Sequence, residues 1–175
     1  MDDATVAARE ARNLLERLGA RVPGFTGYLE RELRREVDQL LRADLAGRLD
    51  TTRAGVAAFS RTLHLGAAGR LERLAALEKS LDGAANALRH VGSGYAGMFN
   101  AVKVREEQLE ALYRFDLDLV ERVDAAREAS AALGADQETI NRLEQAVAAV
   151  QGAVAGRERV VLGAFGVRAG AGGEQ

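Results

Sequence analysis

Residues 92–97 read GSGYAG, within RHVGSGYAGMFNAVKV at 89–104. The spacing is G-x-G-x-x-G, which in a strand–turn–helix setting cradles a dinucleotide pyrophosphate. How this stretch is read decides the fold. A true fingerprint needs a buried strand before its first glycine and a βαβ unit around it. A glycine loop between two helices needs an all-α chain. The preceding residues, LDGAANALRHV at 81–91, carry leucine and alanine at helical spacing, and no strand pattern follows the loop. Asp116 lies near the distance at which the fingerprint places its ribose-binding acid, but it falls inside a helical stretch rather than at a strand end. The stretch therefore reads as a hinge in which Gly92 and Gly94 end one helix.

Working outward from the hinge, glycine punctuates the chain wherever helical periodicity stops. The first helix is predicted over 3–18, ended by Gly19, and a turn follows at RVPGFTGY. Pro23, the single proline, cannot continue a helix. The second helix is predicted over 27–63, with Leu29, Leu33, Val37, Leu41, Leu45 and Leu49 recurring every four residues. Asp50, Thr51, Thr52 and Gly55 are weak helix formers that place a kink there. The third helix is predicted over 67–91 on Leu71, Leu74, Leu77, Leu81, Ala85 and Leu88. The fourth, over 105–133, carries a seam of Leu109, Leu112, Leu119, Val123, Ala126 and Leu133. Gly134 suits a helix end and Asp136 an N-cap, so a tight antiparallel hairpin leads into the fifth helix at 136–163. Ile140, Leu143, Val147, Val150 and Val154 keep three-four spacing along it. The expected fold is all-α: an up-down-up-down bundle of four long helices plus a shorter N-terminal helix. Residues 1–167 form a single domain in this reading, and 168–175 a flexible glycine-rich tail.

Composition agrees. Of 175 residues, 47% are hydrophobic and 29% charged, as in a globular chain rather than a disordered one. The net charge of −2 supplies no basic field, so no nucleic-acid partner is expected. Cysteine is absent, which removes disulfides and thiolate chemistry. The beginning, MDDATVAARE, lacks the apolar core of a signal peptide, and no run approaches the ~18 apolar residues of a membrane span. A cytoplasmic location is expected. Residues 105–128 hold eight acids against four arginines, read as a solvated face. Arg31, Arg34 and Arg35 alternate with Glu30, Glu32, Glu36 and Asp38 and are read the same way.

Alternating helix direction brings the loops near 25, 28, 95 and 99, and the chain near 165, to one end of the bundle. Phe25, Tyr28, Tyr95, Phe99 and Phe165 converge there, with Tyr113 and Phe115 close by, and only Phe59 lies toward the other end. Such rings either plug the bundle's end or line a patch for a ligand or partner. Arg89 and His90 precede the hinge and Lys103 and Arg105 follow it, a weak cradle for an anion at a helix start.

Catalytic motifs are missing. His64 and His90 close the tetrapeptides RTLH and ALRH, without the Glu-x-x-His of a di-metal bundle, and are read as structural. Ser60, Ser80, Ser93 and Ser130 have no nucleophile motif around them. No cofactor and no metal are expected. Asp116 is the most informative polar residue, because it occupies a seam position. Facing the core, it would need a partner such as Arg31, Arg35 or Arg89; the preferred reading rotates the seam locally and leaves it partly exposed.

RVPGFTGYLERELRREVDQLLR, with YAGMFNAVKV further on, resembles segments of uncharacterised all-helical bacterial proteins across about residues 21–120. The resemblance implies a helical fold and brings no activity. The coiled character is loosely similar to membrane-stress scaffold proteins, although their basic amphipathic N-terminal helix is missing here. The expectation is a non-enzymatic interaction or scaffold protein, binding a protein partner or itself as a homodimer. A small-ligand bundle is the second reading, its pocket formed by residues 25–28, 95–99 and 113–115 and flanked by Arg31, Arg89, His90, Lys103 and Asp116. The third is membrane association through VVLGAFGV at 160–167.

Overall fold

The structure is a computed structural model, which describes residues 3–30, 33–64, 67–90, 106–134 and 136–165. Among these residues it is an all-α bundle of five helices: α1 (Asp3–Arg21), α2 (Arg34–Ser60), α3 (Ala68–Arg89), α4 (Glu106–Ala131) and α5 (Gln137–Phe165). No helix is long and apolar enough to cross a membrane, among the described residues. The GSGYAG hinge, with Tyr95, Phe99, Lys103 and Arg105, lies outside them, as do Arg31 and the Phe165 side chain.

The chain divides into two compact units. Unit one comprises Met1–Leu40, Gly92–Leu117 and Gly156–Gln175; unit two comprises Leu41–Val91 and Asp118–Ala155. Three helices, α2, α4 and α5, contribute residues to both.

In unit two the predicted seams form the core. Leu41, Leu45, Leu49 and Val56 from α2, Leu74, Leu81 and Leu88 from α3, Val123 and Ala126 from α4, and Ile140, Leu143 and Val150 from α5 are buried. Polar contacts fix the directions. Arg42 donates to the Leu88 carbonyl at 2.8 Å, Arg53 faces Asp82 at 3.9 Å and Ser60 donates to Glu78 at 3.3 Å, so α2 and α3 are antiparallel. Arg48–Asp124 at 3.1 Å and Ser130 Oγ–Thr52 O at 3.4 Å align α2 with α4. The turn after α4 folds as its residues suggest: Asp136 Oδ1 accepts the Thr139 N–H at 2.9 Å, satisfying an amide at the start of α5. That bond holds the Asp136 carboxyl below its usual range. Direction alternates from α2 to α5, as expected.

Two boundaries move. α1 runs through Gly19 to Arg21, with Val22 N–H still bonded to Leu18 O at 2.8 Å. α2 begins at Arg34 rather than near Gly27, because residues 22–30 form a loop held by tertiary contacts. α2 also continues unbroken through Asp50–Thr52, where Thr52 Oγ1 bonds back to Arg48 O at 2.9 Å and spends its hydroxyl within the helix.

Candidate functional site

The loop after α1 sets the geometry of unit one. Pro23 and Gly24 occupy the central positions of a turn closed by Phe25 N–H to Val22 O at 3.1 Å, and Gly24 takes φ +81°. A proline followed by a residue at positive φ is the pattern of a type II turn. Gly27 takes φ +90°, and a Cβ there would lie 2.7 Å from Tyr113 Oη and 2.8 Å from a Leu15 methyl. Glycine is thus required both for the backbone angle and for the space. The two glycines turn the chain so that Phe25 and Tyr28 point inward.

Three rings meet there. Tyr28 stacks on Tyr113, with centroids 5.7 Å apart and planes 13° from parallel. Phe25 stands edge-on to both, at 5.5 Å from Tyr28 and 6.3 Å from Tyr113. Phe115 approaches α5 at Gly156, where a Cβ would sit 3.7 Å from its ring. Of the aromatics expected to converge, Phe25, Tyr28, Tyr113 and Phe115 fall in unit one, and Phe59 falls in unit two. Arg89 and His90 also belong to unit two and are exposed; Arg89 pairs with Asp50, and His90 Nδ1 lies 3.0 Å from Asn86 O.

Beside the rings lies a charged cluster that sequence reading did not assemble. Asp116 is 0% exposed, which overturns the expectation of a rotated, partly exposed seam. Its partner among the described residues is Arg157 of α5, rather than Arg35 or Arg89; Arg31 lies outside them. Arg157 Nε and Nη2 donate to the two oxygens of Asp116 at 3.0 and 3.3 Å, and Nη1 donates to Asp38 at 2.7 Å. Tyr28 Oη donates to Asp116 at 2.8 Å and accepts from Arg157 Nη2 at 3.2 Å. Arg34 Nε donates to the Tyr28 carbonyl at 2.7 Å, and the Tyr28 N–H donates to Tyr113 Oη at 2.8 Å. Arg34 and Asp38, read from sequence as a solvated face, are buried. Their four-residue spacing places both beside Val37 and Leu41 on the inward side of α2.

Arg34 and Arg157 balance Asp38 and Asp116, so the cluster carries no excess charge. Burial sets its electrostatics. Desolvation pushes the Asp116 carboxyl above its ordinary range, while Arg157 and the Tyr28 hydroxyl pull it back. Desolvation, then the neighbouring Asp116 carboxylate, raises the Tyr28 phenol well above its usual value. Desolvation raises Tyr113 likewise. The guanidinium of Arg157 bonds two carboxylates and a phenol, an arrangement suited to holding α2, α4 and α5 in register.

The outer side of this assembly is open. Ala8, Ala11, Arg12 and Leu15 of α1, Leu29 of the loop, and Leu109 and Tyr113 of α4 line a hollow of about 200 Å³. The alanines at 8 and 11 present only methyl groups to it. Leu29 stands 63% exposed at its edge, and Arg114 of α4 faces Glu10 of α1 at 3.3 Å. The VVLGAFGV stretch contributes Val161 and Ala164 to the core of unit one, and Gly166 and Val167 lie outside the described residues. No group of His, Asp and Glu that would hold a metal occurs among the described residues.

The chain matches no protein-family profile, no curated protein and no solved structure.

Proposed function

We propose that this chain is a non-enzymatic helical interaction protein that self-associates through the face of unit one carrying Leu29. The observation behind this reading is the exposure of Leu29. Among the described residues only Val6 and Leu29 are large apolar side chains open to solvent, and Leu29 adjoins an apolar hollow large enough for one side chain. A protruding leucine and a hollow on one surface make that surface self-complementary, as a two-fold interface requires. The non-enzymatic half rests on the buried cluster, whose ionisable groups are engaged with one another as structural ion pairs are. Sedimentation velocity from ten to several hundred micromolar tests the proposal. Mass should rise with concentration, and Leu29→Asp should hold the chain monomeric. A wild-type chain that stays monomeric throughout removes self-association.

A second reading has its own observation. An open hollow of about 200 Å³ between α1, the loop and α4, lined mostly by hydrocarbon, supports a small-molecule site.

A further inference from the structure

The hollow's lining says which small molecules it would take. Six of its seven residues offer only hydrocarbon or a ring face: Ala8, Ala11, Leu15, Leu29, Leu109 and Tyr113. The Tyr113 oxygen is already engaged by the Tyr28 amide at 2.8 Å. The seventh residue is Arg12, exposed on α1 and, among the described residues, without an ion-pair or hydrogen-bond partner. Its neighbours on the same assembly are differently placed: Arg114 is held by Glu10 and Glu110, Arg34 by the Tyr28 carbonyl and Arg157 by two carboxylates. An apolar cavity of about 150 Å³ takes a benzene-sized molecule, so this hollow has room for a short hydrocarbon chain or one ring but not for a nucleotide.

We infer that the hollow binds a small amphiphilic anion, its hydrocarbon body seated between α1, Leu29 and α4 and its carboxylate paired with Arg12. This rests on the small-ligand reading above and adds charge selectivity to it. The pairing would take place in solvent, where such ion pairs contribute modestly; most of the affinity would come from the buried hydrocarbon. The anion therefore gains a small, measurable advantage over its neutral analogue.

Sodium hexanoate and 1-pentanol, which carry the same five-carbon chain, are suitable probes, titrated separately into the full ¹⁵N-labelled chain at constant ionic strength. Both should shift the amides of Ala11, Leu15, Leu29 and Leu109, with hexanoate binding roughly 2–5-fold more tightly. Arg12→Gln, an exposed substitution, should remove that advantage and leave pentanol binding unchanged. Ala11→Phe, which fills the hollow, should abolish both responses while the rest of the spectrum stays in place. Equal binding of the two probes to the wild-type chain, or an advantage that survives Arg12→Gln, overturns the anion inference and leaves the small-ligand reading standing. If neither probe shifts these amides, the small-ligand reading falls and the inference with it.

Discussion

At the scale of single residues, Asp116 stands where an apolar side chain would continue the seam of α4, and Arg157 stands where one would continue the seam of α5. Each is tolerable inside only because the other is there. A buried carboxylate or guanidinium left alone is far more costly than the pair, so removing one partner should destabilise strongly. Asp116→Ala is expected to lower unfolding free energy by about 3–5 kcal/mol, measured by urea titration. Replacing the group as a unit, with Tyr28→Phe, Arg34→Met, Asp38→Leu, Asp116→Leu and Arg157→Met, should restore much of that loss, because a well-packed apolar core can match a buried ion cluster. If Asp116→Ala leaves the urea midpoint unchanged, the cluster does not contribute to stability. The sequence did carry a signal for it. Two seam positions on different helices hold opposite charges, Asp116 on α4 and Arg157 three residues past Val154 on α5. Reading each helix by itself finds the acid and offers it nearby arginines from the wrong helices.

At the scale of elements, long apolar periodicity carried most of the information. The bounds of α3, α4 and α5 fall within about two residues of expectation, since each has a long apolar seam, interrupted only by Asp116 in α4 and Arg157 in α5, and a clear break at its end. The loop at 22–30 was harder. Leu29 and Leu33 keep the four-residue spacing of α2, yet Gly24 and Gly27 adopt positive φ and Leu29 faces solvent. Spacing alone does not distinguish a leucine that continues a helix from one that precedes it. The helices also hold glycines without such a duty. Gly83 of α3 and Gly152 of α5 are exposed, and a Cβ at either would meet nothing within 4 Å. Gly83→Ala and Gly152→Ala should each raise stability by about 0.4–1 kcal/mol through helix propensity and a less flexible unfolded chain. Lower stability in both variants would mean that these faces are covered in solution.

At the scale of the whole molecule, pH connects the buried tyrosines to the global folding equilibrium. An unfolded tyrosine ionises near pH 10, whereas Tyr28 in the fold holds its proton well beyond that because burial and Asp116 disfavour the phenolate. Above about pH 10 the unfolded chain therefore loses a proton that the folded chain keeps, and stability falls as pH rises. The contribution is complete below pH 10 and declines by up to about 1.4 kcal/mol per pH unit for each such tyrosine. Denaturant titrations between pH 9 and 11.5 should show this slope, and Tyr28→Phe should flatten it by about one proton while Tyr113 retains its share. An identical slope in the variant would place the alkaline transition elsewhere. The sequence by itself determined that the chain is helical, that the described residues form five helices and where the apolar stripe of each lies in the main, because those properties follow from spacing within about twenty consecutive residues. Tertiary structure alone decided that Arg34, Asp38, Asp116 and Arg157 share one interior, and that Ala8 and Ala11 line a hollow beside Leu29. Those outcomes depend on which helix lies opposite which. Charge pairing and empty volume belong to the contacts between segments, and no single segment's periodicity contains them.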